Sequence, residues 1–190
     1  LDLLWTLPLE PWKHTIRTLF STGSLAVKRG ILELAWRQPD ILPDQLIIQN
    51  IHSNDELTPF TISCAGDRCI YKQVGILPQY LESTSNAIRS SSAVAILKQE
   101  PDNKEARAAL DLILDEGSEK NIVETLGFMK GLIGFISQNQ FLRFLLHKSD
   151  NIKNASLSLI EKNPDNSYLN PVIQSLAKAS TFSQAEKALL

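Results

Sequence analysis

Ala26-Val27-Lys28-Arg29-Gly30-Ile31-Leu32-Glu33-Leu34-Ala35, closing at Pro39-Asp40, decides the reading of this chain, because the pattern returns twice. The second copy is Ala87-Ile88-Arg89-Ser90-Ser91-Ser92-Ala93-Val94-Ala95-Ile96-Leu97, closing at Pro101-Asp102. The third is Asn151-Ile152-Lys153-Asn154-Ala155-Ser156-Leu157-Ser158-Leu159-Ile160, closing at Pro164-Asp165. The prolines of the three closing pairs lie 62 and 63 residues apart. Self-similarity at a fixed period marks a repeat architecture, in which each unit buries its apolar face on a neighbour.

The alignment extends in both directions. Val27, Ile88 and Ile152 are each followed by a base (Lys28, Arg89, Lys153) and, three residues on, by a small residue (Gly30, Ser91, Ala155). Upstream stand the apolar pairs Leu19-Phe20, Tyr80-Leu81 and Phe144-Leu145, and before them Ile16, Leu77 and Phe141. After each Pro-Asp come Ile48, Leu110 and Ile173, then Ile51, Ile113 and Leu176. The spacing within a copy is helical: Val27, Ile31, Leu34 and Ala35 fall on one face.

Each unit therefore predicts three helices. Helix A covers 9–21, 77–83 and 138–148; helix B covers 24–37, 86–98 and 150–162; helix C covers 43–51, 104–114 and 167–177. Ser24, Asn86 and Asp150 are placed to cap helix B, since a short polar side chain accepts from the free N–H groups of a first turn. The prolines stop it, because a proline inside a helix loses a hydrogen bond and clashes with the preceding turn. The units span 9–51, 76–115 and 138–178, with insertions at 52–75 and 116–137. In the first insertion, Phe60-Thr61-Ile62-Ser63 and Ile70-Tyr71-Lys72-Gln73-Val74 flank Gly66-Asp67, which predicts a small β-hairpin or loop near 55–75. The second predicts one long buried helix over 118–137, with Ile122, Leu126, Met129, Ile133 and Ile136 on its stripe and Gly127, Gly131 and Gly134 allowing close packing.

The turn-and-helix pieces Ser85-Asn86-Ala87-Ile88-Arg89-Ser90-Ser91-Ser92-Ala93 and Ser149-Asp150-Asn151-Ile152-Lys153-Asn154-Ala155 resemble HEAT and armadillo repeats over roughly 9–177. The resemblance implies an all-α, right-handed helical-repeat solenoid of about three irregular units, with an exposed face that binds a partner. A chain that opens at Leu1 rather than Met reads as a processed form or a fragment of a longer solenoid. The apolar tail 181–190 is read as continuing toward a further repeat.

Composition narrows the functional classes. The chain has 190 residues, 43% hydrophobic and 21% charged, enough to bury a core without disulfide or metal. A net charge of -2 is not that of a dedicated nucleic-acid binder. No apolar run reaches the length of a membrane span, so the chain is expected to be soluble, in the cytoplasm or nucleus. His14, His52 and His147 lack ligand spacing, and no phosphate loop or nucleophile motif occurs. The expectation is a protein with no catalytic residues, cofactor or metal.

Cys64 and Cys69 flank Gly66-Asp67, and two readings stay open: reduced thiols beside a turn, or a local disulfide. Trp5, Trp12 and Trp36 gather in the first unit, as edge-of-core packing or as anchors for a protein partner. The segment 1–8 lies outside the repeat and is read as a cap on the first unit or a docking segment for another protein. Lys28, Arg89 and Lys153 recur at equivalent places. They are read as a solvated face, or as a basic stripe that would neutralise nucleic-acid phosphates. The functional expectation is a protein-binding scaffold or adaptor within a complex. The alternative is a nucleic-acid-binding helical-repeat protein, in DNA repair or associated with RNA.

Overall fold

The computed structural model describes residues 10–53, 55–70, 72, 75–129, 131–162 and 168–176. Among them every regular element is helical. In chain order they are α1 (Lys13–Thr22), α2 (Leu25–Arg37), α3 (Asp44–Ile51), α4 (Thr58–Asp67), α5 (Leu77–Tyr80), α6 (Asn86–Leu97), α7 (Lys104–Glu116), α8 (Glu119–Phe128), α9 (Gln138–Leu145), α10 (Asp150–Lys162) and α11 (Leu169–Leu176). The chain forms two compact bodies, Leu1–Ala109 and Leu110–Leu190, and the division falls inside α7.

The repeated helices form as the periodicity predicts, to within a few residues. Helix B is α2, α6 and α10, and helix C is α3, α7 and α11. The capping differs in detail. Ser85, not Asn86, is the N-cap of α6, and its hydroxyl accepts from the Ile88 N–H. Ser24 takes the extended N-cap backbone of α2, but its side chain makes no cap bond.

Both insertions depart from expectation. The stretch read as a β-hairpin is helix α4, and no strand occurs among the described residues. Local chemistry starts it: Asp55 Oδ1 accepts from the N–H groups of Leu57 and Thr58 at 2.8 and 3.2 Å, and Pro59 occupies the first turn. Thr61, a strand former, turns its hydroxyl back onto the carbonyls of Leu57 and Thr58. Packing then overrides strand propensity, because α4 lies against α2, α3 and α6. The predicted long helix over 118–137 stops at Phe128. Gly131 takes φ +79, in the left-handed region, and a 3-10 turn follows at Ile133–Phe135. The apolar stripe stays buried through this break, but Gly127 and Gly134 have open space where a Cβ would stand, so neither mediates close packing.

In the first body α1 packs on α2, and α5 on α6. Its tightest crossing joins α4 and α6: a Cβ built on Gly66 would lie 2.7 Å from both Cα and Cβ of Ala95. In the second body α8 and α9 pack on α10, and α9 on α11. Phe141 meets Tyr168 edge-to-face at 5.2 Å, and the Tyr168 hydroxyl lies 2.6 and 2.7 Å from the carbonyl oxygens of Ile133 and Ile136. The two inserted helices thus behave alike. Each precedes a helix pair and packs on its helix B, α4 on α6 and α8 on α10.

Candidate interaction surface

The candidate anchors fare differently. Trp5 lies outside the described residues, and so does the side chain of Trp36 within α2. Trp12 ends the 3-10 turn Glu10–Trp12 and is 56% exposed. It is joined on the surface of the first body by Leu19 and Val27, 44% and 40% exposed. On the second body Leu112, Leu146 and Ile173 are exposed. Of these, sequence reasoning singled out only Trp12 as an anchor; Leu19, Val27 and Ile173 entered as apolar repeat positions, because an exposed and a core aliphatic residue look alike within a helical period.

The three recurrent bases do not share an environment. Each is the fourth residue of its helix B, where it faces the groups of the first turn. Lys153 is only 8% exposed and donates to Asp150 Oδ1 at 2.9 Å. Arg89 is half-buried and donates to Asn86 Oδ1 and to the Ser83 carbonyl. In α2 the first residue is Leu25, which offers no side-chain acceptor, and Lys28 is half-exposed. A base buried against its own first turn does not neutralise a phosphate without first losing that pairing.

The second body also holds an open polar pocket of about 440 Å³, lined by Asp111, Asp115, Ser137, Asn139, Gln140 and Arg143. It forms where the end of α7 meets the start of α9, and no spacing in the sequence announced it. Asp115 accepts from Arg143 at 2.6 Å and from Gln140 at 2.8 Å, so its charge is already answered. The Arg143 hydrogen bond holds the Asp115 carboxyl below its ordinary value of 3.8. A carboxyl lowered on folding contributes stability above its unfolded value and loses it as pH falls through its folded value. Both side chains are about half exposed, so solvent screens the effect. Arg143→Ala is expected to shift the midpoint of thermal unfolding less at pH 2 than at pH 6. An equal shift at both would assign the loss to packing.

The disulfide reading is corrected. Cys64 and Cys69 are both free thiols. Because α4 runs through Asp67, Cys64 faces its buried side while Cys69 falls beyond its end, exposed. Burial pushes the Cys64 thiol up to about 12. A disulfide-exchange reagent at pH 8 is therefore expected to titrate one thiol promptly and the second only after denaturation; two prompt thiols would refute this placement. Cys69 also takes φ +56 in a helix-ending turn, with the Cys69 N–H bonded to the Gly66 carbonyl and the Ile70 N–H to the Ala65 carbonyl. A left-handed residue with a Cβ carries a cost of about 1 kcal/mol. Cys69→Gly is expected to recover most of it as a higher urea midpoint, and a lower midpoint would contradict the strain.

Among the described residues no helix is long and apolar enough to cross a membrane. Comparison with family models, with curated proteins and with solved structures finds no match to this chain.

Proposed function

We propose that the chain is a non-catalytic protein–protein interaction scaffold, a HEAT/armadillo-like solenoid acting as a subunit of a larger complex in the cytoplasm or nucleus. The observation that carries the reading is the set of large apolar side chains left on both bodies, led by Trp12, while the polar pocket is internally paired. Trp is favoured at interface centres because one side chain buries a large area at small entropic cost. The recurrent helix order supports the repeat architecture, and repeat proteins bind through their extended surfaces.

The test is affinity capture from the native extract at low and moderate salt, using the unmodified chain and its Trp12→Ala and Ile173→Asp variants. A stoichiometric protein that survives moderate salt, and is lost at least tenfold with one of the variants, is the expected result. Recovery of nucleic acid that vanishes with salt would overturn it in favour of binding through bases.

A further inference from the structure

The turn between helix A and helix B is fastened in the same way in two repeats, by chemically different side chains. In the second repeat Ser85 caps α6, and its backbone N–H donates to the Ser83 hydroxyl at 3.2 Å. In the third, 64 residues on, Ser149 stands before α10, and its backbone N–H donates to His147 Nδ1 at 3.0 Å. Each acceptor lies two residues before its donor and takes an N–H that no carbonyl of the coming helix reaches. In the first repeat Thr22 occupies the place, and its hydroxyl turns back to the Thr18 carbonyl at 2.9 Å. A hydroxyl accepts at any ordinary pH. A ring nitrogen accepts only while it carries no proton, so this bond fixes His147 as the neutral ring with its proton on Nε2.

We propose that His147 makes the α9–α10 turn a pH-sensitive latch, closed onto Ser149 while the ring is neutral and released toward Glu119 when it is protonated. Once Nδ1 takes up a proton, it and the Ser149 N–H are two donors facing each other, and the bond is lost. The bond therefore holds the turn above the range in which an imidazole titrates and is lost as pH falls through it. The charged ring has a carboxylate to turn to. Glu119, at the start of α8, accepts from Asn151 Nδ2 at 2.7 Å and from the Ser149 hydroxyl, and lies within electrostatic reach of His147 and Lys148. The Asn151 hydrogen bond, and then that of Ser149, hold the Glu119 carboxyl below its ordinary value of 4.5, so it is still charged when an imidazole gains its proton. The other charges near this turn are engaged elsewhere: Asp150 with Lys153 in the first turn of α10, Arg143 of α9 with Asp115, and Lys120 with Glu124 along α8. Lys148 is exposed, and α11, packed on α9, carries no charged side chain. Ser83 has no such proton to gain, and Arg89 also donates to its carbonyl, so the turn of the second repeat stays closed.

The test needs no partner, so it stands or falls apart from the scaffold reading. In the full chain at pH 7.5, nitrogen-15 spectra of the ring are expected to show His147 with Nδ1 unprotonated and Nε2 protonated; the opposite tautomer would overturn the proposal. Exchange of the Ser149 amide, corrected for the pH dependence of the intrinsic rate, is expected to quicken roughly fivefold between pH 7.5 and pH 5, as for the loss of one hydrogen bond. The Ser85 amide in the same molecule is expected to hold. Equal protection of Ser149 at both pH values would overturn the latch. His147→Ser installs the acceptor of the second repeat, and His147→Asn supplies a carbonyl that accepts without titrating. Both are expected to keep Ser149 protected at either pH, and a pH response that survives them would refute the role of the ring. Glu119→Gln removes the charge that receives the protonated ring, so the midpoint of release is expected to move to lower pH. An unchanged midpoint would overturn release toward Glu119.

Discussion

Gly66→Val is expected to lower the stability of the first body by about 3 kcal/mol, the upper part of the range for overpacking a filled site. Even a Cβ at this position would lie 2.7 Å from the Cα and Cβ of Ala95, and the obstacle is backbone rather than the end of a flexible side chain. The strain is relieved only by separating α4 from α6, which opens the Ile62 and Val94 region of the core. Better helix propensity returns less than about 1 kcal/mol. Urea unfolding followed by circular dichroism measures the change. Ala95→Gly in the same chain is expected to recover part of it, since the Cα remains in the way. A Gly66→Val chain as stable as the wild type would show that the two helices do not cross closely.

The second large effect belongs to Lys98 and Asp67, an ion pair joining the ends of the same two helices with both side chains about nine-tenths buried. Asp67 sits in the last turn of α4, where the helix dipole disfavours a negative charge, so Lys98 answers both the carboxylate and its position. Lys98→Met leaves that carboxylate buried and unpaired, at an expected cost of about 3–5 kcal/mol. Asp67→Leu/Lys98→Met removes both charges and is expected to lie within about 1 kcal/mol of the wild type. Urea midpoints of the two single variants and the double variant close the cycle. Additive effects would show that the pair contributes nothing as a pair.

The helices that the sequence made legible are those whose signal is local. Val27, Ile31, Leu34 and Ala35 share a face in any helix, and Pro39 stops α2 whatever surrounds it. The failures needed information from a distance. Phe60-Thr61-Ile62-Ser63 favours a strand by composition, and α6 lying against it made it helical. The break after Phe128 turns on Gly131, one of several glycines in that stretch, and the stretch alone does not say which of them leaves the helix. At the surface, the recurrence of Lys28, Arg89 and Lys153 was legible, but their environments were not. Asn86 and Asp150 offer acceptors in the first turn and Leu25 does not, so one motif yields two tethered bases and one half-exposed base.

The burial of Cys64 gives the protein an intrinsic clock. Its thiol is buried on α4, so a reagent reaches it only when the packing around that helix opens. When reclosing is faster than reaction, the modification rate equals the opening equilibrium constant times the rate for an exposed thiol. The logarithm of that ratio is the free energy of opening, read in native buffer without denaturant or any introduced probe, while Cys69 in the same molecule reports the rate of an exposed thiol.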